Sequence, residues 1–140
     1  MGRPKDIQTA EGRERHEAKY QKILDAALYV FATKGFHEAK ISEIARQGGV
    51  ADGTIYLYFK SKDDLLISLF KEKLTQILDG LKKEIEPIES VRERFHKIIT
   101  YHLAVASNDP TLASFITLEL RRSAKFMREY TKIELTAYLD

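Results

Sequence analysis

The stretch ISEIARQGGVADGTIYLYFKSK, at residues 41–62, indicates the fold class more directly than any other part of the chain. Its first half carries apolar residues at spacings of three and four, which places them on one face of a short helix: Ile41, Ile44 and Ala45. Gly48 and Gly49 end this helix, because glycine adopts the left-handed conformation at a helix end without steric cost. Val50 is the apolar residue of the turn, and we expect it to fill the space between two crossing helices.

A second short helix comes after this turn. We expect Asp52 or Thr54 to accept backbone N–H groups at its start. Its residues divide between a core face, Ile55, Tyr58 and Phe59, and other faces that carry Thr54, Tyr56 and Leu57. Two short helices that cross through a short glycine-containing turn describe a helix-turn-helix, whose second helix enters the DNA major groove.

The run GVADGTIYLYFKSK, at residues 49–62, resembles the recognition helix and following turn of TetR-type bacterial regulators. Those proteins carry Gly-Val, then Gly-Thr-hydrophobic-Tyr, then Tyr-Phe, and a lysine before a long helix. Upstream core positions of the family are matched as well, at Ile23-Leu24, Ala26-Ala27, Phe31, Gly35-Phe36 and Ile44-Ala45. The resemblance covers residues 17–77, with the motif at about residues 40–59, and implies an all-α protein with a three-helix DNA-binding head.

The sequence departs from the family pattern in two places. Ala39 and Lys40 stand where the family often has a pair of Thr or Ser, so a phosphate contact is expected from Lys40 or Ser42 instead. Ala51 stands where a serine usually opens the recognition helix, and Asp52 is then expected to provide the cap. A carboxylate at that place would repel phosphates, but it could accept a hydrogen bond from a cytosine amino group.

The form ADGTIYLYF, followed by LISLFKEK, resembles the fatty-acid-degradation repressors of the family, which answer to long-chain acyl-CoA. The resemblance therefore implies a sequence-specific repressor of fatty-acid metabolism that an amphipathic effector releases from its operator. It implies neither a cofactor nor a catalytic residue. The residues expected at the DNA are Lys40, Ser42, Asp52, Gly53, Thr54, Tyr56, Leu57, Tyr58 and Lys62.

Composition bounds the possible classes of protein. At 140 residues, 44% hydrophobic and 31% charged, the chain can bury the core of one domain or of one domain and part of a second. The absence of cysteine excludes a disulfide framework and a cysteine-based zinc site. No apolar run approaches the roughly 20 residues that span a bilayer, and no signal peptide is recognisable, so we expect a cytoplasmic protein. Residues 1–62 hold 11 Lys and Arg against 8 Asp and Glu, a basic bias that suits a DNA-binding end.

The chain before the helix-turn-helix is predicted to form an arm and one helix. Residues 1–16 are interpreted as a flexible arm, whose Arg3 and Lys5 either reach a minor groove or have no role. A first long helix is predicted from Arg15 to Lys34, with an apolar stripe at Tyr20, Ile23, Leu24, Ala27, Leu28 and Phe31. A head of this size is marginal alone, so it should lean on the helices after it.

A long helix is predicted from Lys62 to Glu84, capped by Ser61. Its apolar stripe is long enough to serve two cores, so the helix should link the head to an effector-binding and dimerisation domain that begins in residues 78–140. Asn108-Asp109-Pro110 should separate two helices of that domain, and a last helix face is predicted at Phe126, Tyr130, Ile133 and Ala137. The family dimerises through later helices, so the homodimer interface is expected mostly beyond residue 140.

Six residues of this second domain are candidates for the effector site: Phe95, Ile99, Phe115, Glu119, Arg121 and Arg122. The run Glu119-Leu120-Arg121 resembles one in the effector domain of the acyl-CoA-responsive branch. An arginine there would suit the phosphates of coenzyme A, because a guanidinium group binds phosphate oxygens in pairs. The alternative is structural, with Glu119 in a salt bridge within the bundle.

Catalytic and metal-binding motifs are not apparent in the sequence. His96 and His102 are six residues apart and cannot chelate one ion as an i, i+4 pair would, and no phosphate-binding glycine loop or Cys–His pair is present. We therefore predict that the protein is not an enzyme. The alternatives to an acyl-CoA-responsive repressor are a TetR-type regulator of another ligand, such as a drug-efflux inducer, and an effector-free DNA-binding protein without an apolar cavity. A helical enzyme or acyl carrier would not bind a specific operator.

Overall fold

The computed structural model describes residues 9–119, 122–123 and 128, with only the backbone at residue 119. Within these residues the chain forms six α-helices and a π-helical segment, and it contains no strand. The order is α1 (Ala10–Lys34), α2 (Ile41–Gly48), α3 (Asp52–Tyr58), α4 (Lys62–Ile85), α5 (Val91–Asn108), α6 (Pro110–Ser114) and the π-helical segment (Phe115–Glu119). The predicted all-α class is confirmed, and α4 ends within one residue of its predicted end.

Helix α1 begins at Ala10, five residues before the predicted start at Arg15. Thr9 is its N-cap, and the Thr9 hydroxyl accepts a hydrogen bond from the Gly12 N–H at 3.0 Å. The first turns of this helix are mostly exposed and polar, so no apolar stripe marked them in the sequence. Residues 10–16 of the predicted arm are therefore helical, and residues 1–8 lie outside the described part of the chain.

The turn between α2 and α3 has the predicted geometry. Gly49 is left-handed, with φ of 66°, and its N–H donates to carbonyls of the last turn of α2. Val50 is half-buried against the core, and its N–H donates to the Ala45 carbonyl at 2.9 Å. A Cβ added at Gly48 would lie 3.3 Å from the Ala26 Cβ, so a small residue is needed where α1 and α2 approach closely.

The predicted cap of α3 is wrong. Ala51 occupies the N-cap position, in extended conformation, and no side chain accepts a cap hydrogen bond there. Asp52 is already the first helical residue, and the Thr54 N–H donates to the Ala51 carbonyl at 3.0 Å. The helix thus begins one residue too early for the Asp52 carboxylate to lie at the cap.

Helices α1 to α4 bury one apolar core, to which the chain after α5 returns. Phe31, Ile44, Ile55 and Leu66 are fully buried in it, and Leu112 and Phe115 belong to the same cluster. The head is therefore stabilised by packing against later helices, as its small size predicted. Leu112 and Phe115 lie in the predicted second domain, and they share this core because α6 and the π-helical segment pack on α1.

Helix α5 buries none of its residues. Its apolar stripe is exposed along the whole helix, at Val91, Phe95, Ile99 and Leu103. The predicted break after it is confirmed: Asp109 caps α6, and its Oδ1 accepts from the Leu112 N–H at 2.9 Å. The predicted last helix face lies outside the described residues. None of the described helices is both long and apolar enough to cross a membrane.

Candidate nucleic-acid interface

Helix α3 is anchored on one side and exposed on the other. Ile55 is fully buried and Phe59, which caps the helix, is 4% exposed, so both hold α3 on the core. On the outer side, Tyr56 is 56% exposed and Leu57 is 81% exposed. Asp52 and Gly53 are exposed and Thr54 is half-buried. An exposed aromatic residue beside an exposed leucine on a short helix suits a surface that a partner covers.

Gly53 is the glycine in the helix-turn-helix that the fold itself does not require. Gly49 has a left-handed φ, and Gly48 lies against Ala26, so each has a local reason. A Cβ added at Gly53 meets no atom within 4 Å, and its φ is not positive. Glycine inside a helix is less favourable than alanine by about 1 kcal/mol. Because Gly53 has no side chain, its backbone is uncovered, and another molecule can approach it closely.

Tyr58 faces the core side of α3 rather than the outer side. Its ring centroid lies 4.6 Å from that of His16 and 6.2 Å from that of Tyr20, both on α1. Partial burial there raises the pKa of the Tyr58 hydroxyl. The geometry therefore favours a supporting role for Tyr58 between α3 and α1, and we do not keep it among the residues that read DNA.

Lys62 was expected to contact a phosphate, but the structure gives its ammonium group other partners. The Nζ atom donates to the carbonyls of Phe36, His37 and Ala39, at 2.6, 3.2 and 3.1 Å. It also lies 4.6 Å from the centroid of the Phe36 ring. A lysine has three N–H donors, and three carbonyls accept from this one. Lys62 therefore fastens the start of α4 to the connection between α1 and α2, and we withdraw it as a phosphate contact.

Exposed cationic and polar residues precede and follow α3 in the chain. Lys40 and Ser42, at the start of α2, are exposed, as expected of phosphate contacts. Lys60, between α3 and α4, is exposed too, although after α3 the family resemblance predicted a phosphate contact only from the lysine at position 62. Its spacing carried a signal, since Lys60 directly follows the buried Phe59 and so points away from the core.

The start of α2 is fixed by a carboxylate. Glu43 accepts from the Lys40 backbone N–H at 3.1 Å and forms a salt bridge with Lys34 at the end of α1. The Lys34 hydrogen bond, followed by the one from the Lys40 backbone, holds the pKa of the Glu43 carboxyl below its usual value. These contacts orient the first turn of α2, which carries Lys40 and Ser42.

The candidate effector residues are not brought together in the described part of the chain. Phe115 is fully buried in the shared core, whereas Phe95 and Ile99 are 66% and 46% exposed on α5. Arg122 is exposed, and Arg121 and the side chain of Glu119 lie outside the described residues. A surface groove at the start of α5 is lined by other residues, including Arg92, His96 and Lys97. Phe115 thus packs in the core that the head shares with the later helices.

Two family models together match most of the chain. Residues 23–69 match the bacterial regulatory proteins of the tetR family, and residues 70–140 match the C-terminal region of YsiA-like proteins. The chain belongs to the TetR family. Within this TetR-family chain, the first match covers α2 and α3 and the second begins inside α4.

Several relatives are known by name. The fatty acid metabolism regulator protein of Bacillus subtilis is 43% identical over 122 residues, which are 87% of this chain and 63% of that protein. A crystal structure of the transcriptional regulator FadR from Bacillus subtilis in complex with stearoyl-CoA aligns with a TM-score of 0.79 and 42% identity, over 86% of this chain and 64% of that one. The fatty acid degradation regulator FadR from Bacillus halodurans aligns with a TM-score of 0.74 and 41% identity, over 81% and 60% of the two chains.

This TetR-family chain therefore spans about three fifths of the length of these relatives. Within the described residues, no group of three His, Cys, Asp or Glu side chains is placed to hold a metal ion.

Proposed function

We propose that this TetR-family protein is a sequence-specific DNA-binding repressor of fatty-acid metabolism, and that long-chain acyl-CoA releases it from its operator. It acts as a homodimer in the cytoplasm, uses no cofactor and is not an enzyme. The observation that carries the DNA-binding part is Gly53, whose uncovered backbone lies beside the exposed Tyr56 and Leu57. The support for the effector is the likeness to a FadR structure that holds stearoyl-CoA.

In this proposal the outer face of α3 enters the major groove. Tyr56, Leu57 and Thr54 contact base edges, and the backbone at Gly53 approaches the DNA closely. Lys40, Ser42 and Lys60 contact phosphates on either side, which positions the helix without reading sequence. Asp52, at the start of α3, is placed to accept from a cytosine amino group. A homodimer then reads two half-sites about 34–36 Å apart, or a larger multiple of one turn.

The test of the DNA-binding surface is Tyr56→Ala, with Tyr29→Ala as the matched control. Both tyrosines are about half exposed, at 56% and 52%, but Tyr29 lies on α1 and Tyr56 on α3. We expect Tyr56→Ala to lower operator affinity by roughly tenfold or more, as the loss of a base contact of about 1–3 kcal/mol does. Tyr29→Ala should bind like the wild type, and both variants should keep their helical circular dichroism. Equal operator affinity of Tyr56→Ala and wild type would overturn the placement of α3 in the groove.

Gly53→Ala separates folding from binding at the same surface. The added methyl group meets no atom of the protein within 4 Å, so the free energy of unfolding should rise by about 0.5–1 kcal/mol. The same methyl group should block the close approach to DNA and weaken operator binding. A variant that is more stable and binds as well as the wild type would show that Gly53 does not lie against DNA.

The effector is tested by titrating the operator complex with stearoyl-CoA, with stearic acid and coenzyme A alone as controls. We expect stearoyl-CoA to dissociate the complex and free stearic acid to do so poorly, because an arginine binds the coenzyme phosphates. Arg121→Ala should bind operator normally but need more stearoyl-CoA for release. An operator complex that stays intact would exclude this effector and favour a TetR-type regulator of another ligand or an effector-free one.

A further inference from the structure

Ser123 is the buried polar side chain of the described region, and it bonds to the head. Its side chain is fully buried, and its Oγ donates to the Asp63 Oδ1 at 2.8 Å. The two residues are 60 positions apart, so the contact joins the segment after the π-helical segment to the first turn of α4. A buried hydroxyl needs such a partner, because burying it without a hydrogen bond is unfavourable.

Asp63 follows the recognition helix closely in the chain. It is in the first turn of α4, whose N-cap Ser61 accepts from the Asp64 N–H at 3.2 Å, and α3 ends five residues earlier at Tyr58. The positive end of α4 favours a charged carboxylate there. The preceding residue, Lys62, donates to carbonyls of the α1–α2 connection. Two consecutive residues thus bind different partners: Lys62 binds the head, and Asp63 binds the segment that carries Ser123.

The elements just before that segment, α6 and the π-helical segment, pack on the head through apolar side chains. Leu112 of α6 and Phe115 of the π-helical segment are buried in the same cluster as residues of α1 and α4. Apolar packing is non-directional, so it holds these two elements against the head without fixing their register. The hydrogen bond from Ser123 is directional and reaches α4 itself, so it couples a displacement of the segment to the start of α4.

We propose that Ser123 and Asp63 form a positioning contact through which the effector-side segment sets the orientation of α3. This inference rests on the proposed function, in which an effector changes the packing of the later helices. The signal then enters the head at the near end of α4, next to α3, and need not travel along α4 from its far end around Leu81. Loss of the contact should leave operator binding close to normal and weaken the coupling between effector and DNA.

A double-mutant cycle tests the contact in the operator titration with stearoyl-CoA. Ser123→Ala and Asp63→Ala should each raise the stearoyl-CoA concentration needed for release by about fivefold or more, with operator affinity changed much less. The double variant should be no worse than either single variant, because both remove one interaction. Asp63→Asn keeps an acceptor oxygen but no charge, so it should restore most of the coupling. Additive effects, or an Asp63→Asn variant as defective as Asp63→Ala, would overturn the proposal.

A second measurement is independent of the effector. Hydrogen exchange should become faster in the peptide covering residues 52–66 of Ser123→Ala, while peptides from α1 and α5 keep their wild-type rates. Unchanged exchange in residues 52–66, or a uniform increase throughout the chain, would contradict a directed contact. If stearoyl-CoA fails to release even the wild-type protein, the proposed effector is wrong, and this exchange comparison decides the contact without it.

Discussion

Helices α1 and α5 both carry apolar stripes of helical period, but only α1 is covered. Eight residues of α1 are buried, whereas α5 buries none and exposes Val91, Phe95, Ile99 and Leu103. Helix α1 is packed by α2, α4, α6 and the π-helical segment, whereas α5 packs mainly on α4 and α6. Periodicity thus predicts that a helix has an apolar face, but the neighbouring helices decide whether that face becomes core.

The sharpest contrast between the two regions is expected from removing one phenylalanine ring in each. Phe31 is fully buried on α1, and Phe95 is 66% exposed on α5. Phe31→Ala should lower the free energy of unfolding by about 3–5 kcal/mol, because it leaves a cavity. Phe95→Ala should change it by no more than about 0.5 kcal/mol. Urea denaturation followed by circular dichroism measures both, and a comparable loss in the two variants would show that the α5 stripe is buried in solution.

A smaller effect is expected at the two lysines that flank Ser61. Lys62→Met removes donors from three carbonyls and should destabilise the fold by about 1–3 kcal/mol. Lys60→Met is the matched control, because Lys60 is exposed, and its thermal stability should equal that of the wild type. On DNA, Lys60→Met should weaken binding to all sequences alike and lower the salt slope by about one unit. If Lys62→Met were as stable as the wild type, Lys62 would again be expected to contact a phosphate.

The smallest effect concerns the acid stability of the head. The pKa of Glu43 is lowered in the fold by Lys34 and by the Lys40 N–H, from an ordinary value of 4.5. A lowered pKa adds stability that is present above the unfolded value and is lost as the pH falls through the folded value. Glu43→Gln should therefore be less stable than the wild type at neutral pH, and the difference should vanish in acid, as the pH falls below 4.5 and through the lowered pKa. Because the Glu43 carboxylate is accessible to solvent, the difference is small, and high salt should reduce it further. A difference that grows in acid would contradict the assigned pKa direction.

Local features of the fold were predictable because they depend on residues a few positions apart. The glycine turn at Gly49 and the cap at Ser61 each follow from one residue type next to a periodic segment. The start of α1 differs from the prediction because its first turns are mostly polar and carry no apolar periodicity. Thr9 caps the helix there. The cap of α3 lies one residue before the predicted one. A resemblance to a family identifies a motif, but it does not locate the end of a helix to the residue.

At the candidate interface, the sequence predicted the exposed face of α3 but not the roles of its neighbours. Tyr56 and Leu57 lie outward as their spacing from Ile55 required. Tyr58 contacts α1, as its place on the core face predicted, whereas helix period does not reveal that Lys62 binds the α1–α2 connection. The effector residues stay a prediction, because a cavity depends on several helices that lie far apart in sequence.

The sequence by itself therefore determined the helix-turn-helix, its glycine turn and the class of surface that α3 presents. Each depends on the period of 3.6 residues and on caps formed within one turn. Tertiary structure alone decided that Lys62 binds carbonyls 23 to 26 residues away, that Ser123 binds Asp63, and that the stripe of α5 is exposed. These outcomes depend on which helices pack against each other. Hydrophobic burial is non-directional, so the sequence of one helix does not specify which other helices pack on it.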